Sequence, residues 1–250
     1  MSALRWPDGG GALFEGLPPG IAAGFTTLDL VPDELPADDG ARRFARLLGV
    51  PDAPVARLKQ VHGAAVVEAR GIAPGEVVVA GAADAVVTTQ SGLVVAVVTA
   101  DCVPVVLADL EAGVLAAAHA GWRGTAARVV EAALDALEAR GGSAERAWAL
   151  FGPSISRERY EVGPEVLAAL GDPVPDGAVV AGRGDRSWLD VAAFNEAALL
   201  WRGVRPERVV RPALCTFGPP VRFCSYRRDG ERAGRIFTGA VLLPGGGPAR

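Results

Sequence analysis

The chain has 250 residues, half of them hydrophobic and 22% charged, with a formal net charge of −4. This is the composition of an ordinary folded protein with room for a substantial core, and it supplies no global basic field for non-specific nucleic-acid binding. Three cysteines (Cys102, Cys215, Cys224) without CxxC spacing argue against a disulfide framework and for reduced thiols in the cytoplasm.

In chain order, the opening MSALRWPDGGGALF lacks the apolar core of a secretory signal. Residues 1–19 are rich in Gly and Pro and are expected to be flexible, like the tail 245–250. DDGARRFARLLGV (38–50) predicts an amphipathic helix with Phe44, Leu47 and Leu48 on one face. Short β-rich runs follow: PVARLK, AAVVEA, EVVVAG, ADAVVTT, LVVAVVT, VPVVLAD and GVLAAAHA. Several are continuously apolar, as strands buried on both faces are. The most apolar stretch is interrupted by Asp101, Pro104 and Asp109, so it predicts two buried strands rather than a membrane span of ~20 residues.

TAARVVEAALDALEAR (125–140) has the clearest helical spacing, with Thr125 as the expected N-cap and Gly141-Gly142 as the stop. A strand at AWALFG, helices at 163–170 and 189–202, and strands at PVRFCSY and GRIFTGAVLL complete the expectation. Several strands follow one another without an intervening helix, which predicts an α+β fold with a mixed sheet. No repeat and no clear linker is visible, so residues 20–244 are expected to form a single domain.

Three polar residues interrupt the strand-rich core where a strand gives way to a loop: His62 in RLKQVHGAAVV, Cys102 in VVTADCVPVV and His119 in GVLAAAHAGWRG. Singly, such a cysteine packs as a small hydrophobe and such a histidine is a hydrogen-bonded core residue. Together they supply two nitrogens and one sulfur, the set of a catalytic zinc site with an open fourth position. The chain has only two histidines, and both fall in this pattern, which favours a shared site.

Lys59 is the only lysine beside 24 arginines, which favours a compact ammonium at a site over a solvated charge. In HAGWRGT, two glycines deliver Arg123 to the expected helix start at Thr125, an arrangement that suits an anion as well as a plain turn. Arg227 and Arg228 in SYRRDG offer a similar choice between an anion site and a hairpin turn. Cys215 and Cys224 are expected to pack in the core. There is no GxSxG elbow, P-loop, HExxH or GxGxxG.

KQVHG, ADAVVTTQSGLVVAVVTADCVPVVLAD, GVLAAAHAGWRGT, FGPSIS…YEVG, LDVAAFN and FCSYRRDG occur in an order that resembles the YfiH family. Members of that family are variously labelled polyphenol oxidase with a laccase domain, purine nucleoside phosphorylase and peptidoglycan editing factor. The resemblance covers roughly residues 20 to 243 and is most specific from 59 to 128. It implies a mixed α/β sandwich, related in its Cys–His arrangement to a deamidating bacterial toxin domain, with His62, Cys102 and His119 as metal ligands. The implied activity is phosphorolysis of purine nucleosides (adenosine, guanosine, inosine, methylthioadenosine), with adenosine deamination as a second reaction.

The matched motifs give Lys59, Gln60, Arg123, Thr125, Tyr226 and Arg227 as candidate substrate or phosphate contacts, and Asp101 as a candidate proton-transfer group beside Cys102. The partners expected are a small purine nucleoside and phosphate, with no nucleic acid and no membrane. Two departures stand out: Leu28 replaces the arginine of a family "STR" motif, and Glu158 and Arg159 replace paired cysteines before YEVG.

The metal expected is zinc, with copper(II) possible in the same site. Two histidines cannot furnish both the His₂Cys site and the histidine-rich trinuclear cluster of a multicopper laccase. Two other function classes remain open. One is an amide hydrolase acting on a peptidoglycan precursor, with Cys102 as nucleophile and His119 as base. The other is a non-catalytic, metal-stabilised nucleotide-binding protein.

Overall fold

In a computed structural model, described here for residues 4–7, 9–32 and 35–244, the continuously apolar runs are strands that are covered on both sides. In chain order the strands are β1 (Leu4–Arg5), β2 (Gly11–Phe14), β3 (Ile21–Thr26), β4 (Val55–Lys59), β5 (Val66–Glu68), β6 (Val77–Ala82), β7 (Ala85–Thr88) and β8 (Val94–Thr99). Then come β9 (Val103–Asp109), β10 (Val114–Ala120), β11 (Trp148–Phe151), β12 (Glu161–Val162), β13 (Val179–Ala181), β14 (Ser187–Leu189), β15 (Val209–Val210) and β16 (Ile236–Leu242). The helices are α1 (Ala37–Leu47), α2 (Trp122–Ala126), α3 (Val129–Glu138), α4 (Pro164–Leu170), α5 (Val191–Trp201) and α6 (Tyr226–Asp229).

Seven strands form one sheet in the order β1-β2-β3-β16-β8-β4-β6, and six form a second in the order β15-β11-β9-β10-β7-β5. Both are mixed: β4 runs parallel to β6 and β8, β5 to β7 and β11 to β15, while the other pairs within the two sheets are antiparallel. A small sheet, β12-β14-β13, stands apart.

The two large sheets face each other across a core built from Phe25, Leu58, Val95, Val97, Val106, Leu115 and Leu150. On the outer face of the seven-stranded sheet, α1 lays Ala41, Phe44 and Ala45 over Val55, Val94, Ala96 and Phe237. On the outer face of the six-stranded sheet, Val130, Leu134 and Leu137 of α3 and Leu199 of α5 cover Val87, Val105, Leu107 and Ala116. The result is a four-layer α/β/β/α sandwich in which β8, β9, β10 and β16 lose the alternation of a one-sided strand. Among the described residues no helix is long and apolar enough to cross a membrane.

Four sequence expectations are corrected. The segment before residue 20, expected to be flexible, carries β1 and β2, with Leu4, Ala12 and Phe14 buried in the inter-sheet core. The tail 245–250 lies outside the described residues. The helix expected over 125–140 is two helices, α2 and α3, separated by Arg128 in the left-handed conformation at φ 64°. Thr125 is therefore inside α2 and caps nothing. PVRFCSY is not a strand: its end leads into α6, whose N-cap Ser225 accepts the Arg228 N–H. The helices expected at 38–50, 163–170 and 189–202 are α1, α4 and α5, the last capped by Asp190, which accepts the Ala193 N–H at 3.0 Å.

Candidate metal centre

Three strand ends converge at one rim of the sandwich. His62 follows β4, Cys102 lies in the turn between β8 and β9, and His119 is the penultimate residue of β10. Their ligand atoms lie within 4.8 Å of one another, and the two imidazole rings meet edge to face with centroids 4.9 Å apart. His119 is buried, Cys102 half-buried and His62 exposed, so the cluster is walled on the core side and open on the His62 side. His62 and Asp101 are two of only three non-glycine residues with positive φ among those described, at 61° and 85°. Backbone held in this region concentrates at functional sites.

Asp84, just before β7, is fully buried and meets both histidine segments. Its carboxylate accepts from His119 Nδ1 at 2.8 Å and from the backbone N–H groups of Val61, His62 and Gly63 at 3.2, 2.9 and 2.7 Å. Burial works against ionisation, but these bonds hold the Asp84 carboxyl below its ordinary range. Burial also opposes the charged form of Cys102, yet His119 and His62 bring its thiol down to about 7. His119 is pushed up to about 9, against its own burial, by the Asp84 carboxylate and the Cys102 sulfur. Each group thus stabilises the charged form of the other, and a metal taking the His119 nitrogen would have to displace its proton.

The chemistry of this donor set fits a transition metal. Nitrogen and thiolate donors suit zinc or copper. With Nδ1 engaged by Asp84, Nε2 is the His119 nitrogen left for a ligand. Gly121 also leaves room: a Cβ there would stand 2.7 Å from Cys102 Sγ and 3.5 Å from His62 Cδ2.

The other sequence-predicted residues divide. Cys102 opens onto a narrow cleft whose further walls include Gly121, Trp122, Tyr160 and Val191. Arg227 lies against it, with its guanidinium 4.9 Å from the Tyr160 ring centroid and a 3.1 Å bond to the Glu161 carbonyl. Arg123 is exposed and stacks on Trp122 at 4.2 Å, and Tyr226 is exposed beside Arg227. Lys59 ends β4 with its side chain exposed.

Two predicted contacts are occupied structurally instead. Gln60 closes the edge of β8, donating to the Val98 carbonyl at 2.7 Å and accepting its N–H at 2.8 Å. Thr125 Oγ1 accepts from Asn195 of α5 at 2.9 Å, and the helix start expected at Thr125 lies instead at Trp122, after the N-cap Gly121.

Asp101 is likewise saturated. It accepts from the Thr216 and Ser225 hydroxyls and from the Arg227 N–H at 2.6 Å, while its carbonyl takes the Ile155 N–H. These bonds brace the Cys102 turn against the segment carrying Tyr226 and Arg227. Leu28 packs against the inter-sheet core, and Glu158 and Arg159 are exposed in a short 3₁₀ turn. Cys224 is buried as expected, but Cys215 is only half-buried; it borders a separate cavity of about 660 Å³ that holds none of the three ligands.

Asp84, Tyr160 and Asn195 were missed. Asp84 carried a readable signal, because a charged residue at the head of a largely apolar strand is almost never buried unless paired.

Comparison with known proteins shows the family and the fold. The chain is 40% identical over 229 residues to a purine nucleoside phosphorylase of Deinococcus radiodurans, spanning 92% of this chain and 86% of that protein. It is 35% identical over 125 residues to adenosine deaminase RL5 of an unknown prokaryotic organism, about half of each chain (49% and 48%). Its fold matches the crystal structure of Bacillus licheniformis hypothetical protein YfiH with a TM-score of 0.86 at 22% identity, over 97% of this chain and 100% of that one. Residues 33–243 match the family described as multi-copper polyphenol oxidoreductase laccase, and the chain belongs to that family, the YfiH family its motifs resemble.

Proposed function

We propose that this chain is a zinc-dependent purine nucleoside phosphorylase, acting on adenosine, guanosine, inosine and methylthioadenosine, with hydrolytic deamination of adenosine as a second reaction. The observation that carries the reading is the convergence of His62, Cys102 and His119, with Cys102 lining a cleft walled by Trp122 and Tyr160. The likeness to the Deinococcus phosphorylase and, over half the chain, to the deaminase supports it. Zinc held by these three residues would supply Lewis acidity toward the substrate or a water.

The remaining work falls to the chain's own side chains. In phosphorolysis a phosphate oxygen bonds to the ribose C1′ as the C1′–N9 bond breaks, and the purine leaves with a proton. Arg227, steadied by Tyr160 and the Glu161 carbonyl, and Arg123, steadied by Trp122, bring positive charge to the cleft for that phosphate. Burial pushes the Tyr160 hydroxyl up to about 12, so it remains a hydrogen-bond donor at neutral pH. Exposed Tyr226 offers a face on which a purine can stack. In deamination a water oxygen adds to C6 of adenine and ammonia leaves.

Zinc-loaded protein incubated with adenosine, with and without phosphate, tests this directly by chromatography of the products. Adenine formed only with phosphate, together with ribose 1-phosphate, is the expected result; inosine in both mixtures reports the second reaction. Adenosine that survives unchanged sinks the reading.

The brace at Asp101 makes a further expectation. Asp101→Asn retains one acceptor oxygen for three donors, so it should cost about 1.5–3 kcal/mol of stability. It should also raise the KM for phosphate several-fold while zinc affinity stays within about threefold, because the bonds lost hold Arg227 rather than the three ligands. Steady-state kinetics with a chelator competition titration checks both; a large loss of zinc affinity with an unchanged KM contradicts it.

A second reading has one specific observation behind it. Cys102, His119 and Asp84 form a nucleophile–base–orienter chain, as an amide hydrolase acting on a peptidoglycan precursor would require. A metal on the thiolate blocks that chemistry, so metal content separates the two.

A further inference from the structure

We propose that Asp84 is the positioning residue of this centre: one buried carboxylate sets both histidines, His119 through its ring and His62 through its backbone. The inference rests on the metal reading above and assigns a role to a residue outside the ligand set.

Each carboxylate oxygen has two donors. Oδ1 accepts from His119 Nδ1 at 2.8 Å and from the His62 N–H at 2.9 Å. Oδ2 accepts from the Gly63 N–H at 2.7 Å and the Val61 N–H at 3.2 Å. The backbone of Asp84 takes part as well, its carbonyl accepting the His119 N–H at 2.7 Å and its N–H donating to the Ala65 carbonyl at 3.1 Å. A carboxylate only accepts, so the proton of His119 stands on Nδ1 and Nε2 is presented to the cluster.

For His62 the device is different. Three successive N–H groups curl around an anion when the middle residue takes a left-handed conformation, and His62 does so at φ 61°. The anion in that curl is Asp84, and the curl aims the exposed His62 ring at His119 and Cys102. Among the described residues, the backbone N–H groups of Val61, His62 and Gly63 and the His119 ring supply the bonds to the Asp84 carboxylate.

Asparagine has the same shape but cannot serve. If its oxygen keeps the His119 and His62 donors, its NH₂ meets the N–H groups of Val61 and Gly63, donor against donor. If it flips, the NH₂ faces His119 Nδ1, which then must accept, and the ring proton moves to Nε2 where the ligand belongs.

The test begins with zinc titration of the wild type against a chromophoric chelator; no binding defeats the metal reading and this inference with it. Asp84→Asn is expected to weaken zinc binding about 10- to 100-fold, the usual cost of removing a carboxylate behind a ligating histidine. Binding by the variant within threefold of wild type overturns the inference while leaving the metal reading standing. Should the variant fail to fold, the wild type decides by itself. Side-chain ¹⁵N spectra of the zinc-loaded protein contain only two imidazoles, which His62→Gly assigns. A proton on His119 Nδ1 with Nε2 metal-bound is the expected signature; a proton on Nε2 overturns it.

Discussion

His62→Gly is expected to weaken zinc binding at least about 100-fold and to reduce nucleoside turnover in step, with little change in melting temperature. A zinc ion on four ligands is worth about 10–16 kcal/mol, so one ligand carries about 3 kcal/mol, or roughly 100-fold. The fold gives up little, because His62 is exposed and glycine takes φ 61° without strain. The Val61, His62 and Gly63 N–H bonds to Asp84 involve backbone and survive the change. The same variant discriminates between chemistries. An amide hydrolase needs Cys102, His119 and Asp84 but not a second imidazole, so turnover of a muramyl peptide by His62→Gly, lost in Cys102→Ser, would refute the metal-dependent phosphorylase. Zinc competition titration, kinetics and thermal melting on one preparation supply all three readouts.

Gly121→Ala should have the next largest effect, because it adds one methyl group at the middle of the cluster. Gly121 sits at φ −68°, ψ 169°, a conformation alanine adopts freely, so the backbone has no objection. The steric objection is local: the new Cβ would come within 2.7 Å of Cys102 Sγ. Relief requires the sulfur to swing out of the cluster or β10 to shift, at about 1–3 kcal/mol for an overpacked methyl. Zinc affinity and kcat are expected to fall together by about 10- to 100-fold, read by the same titration and by steady-state kinetics. Unchanged zinc affinity would mean that Cys102 is not a ligand.

Why His62, Cys102 and His119 were legible while Asp84 was overlooked comes down to what a linear pattern can display. The three ligands interrupt apolar runs, and the histidines are rare enough to be conspicuous. Asp84 interrupts one too, in AADAVVTT, but its partners lie 21 to 35 residues away along the chain. Gln60 and Asp101 carry contacts that a linear pattern does not display. Each lies within two residues of a ligand and reads as a site residue; one also stands in for a strand neighbour of Val98 and the other ties down a distant segment.

The strands were legible because a sandwich covered by helices on both outer faces demands continuous apolar runs. The break between α2 and α3 was not, since TAARVV contains nothing that ends a helix. Packing decides it: α2 is held close to the site, where Gly124 leaves only 3.2 Å from a would-be Cβ to the His119 carbonyl and 3.3 Å to that of Gly63, while α3 follows the sheet. The N-terminal strands were masked by glycines whose neighbours, Leu4, Ala12 and Phe14, bury themselves singly rather than in a run.

The position of β16 has a consequence for the order in which a ribosome delivers the fold. This last strand lies between β3 and β8, so β1, β2 and β3 join the remainder of their sheet only through residues 236–242. During vectorial synthesis, at ~5–20 residues per second, these three strands precede the rest of their sheet, with one edge unpaired until residues 236–242 have been made. The six-stranded sheet, built from residues 66–210, has no such wait. Cys102, His119 and Asp84 can therefore be brought together on a nascent chain whose β1, β2 and β3 are still without their partner strand.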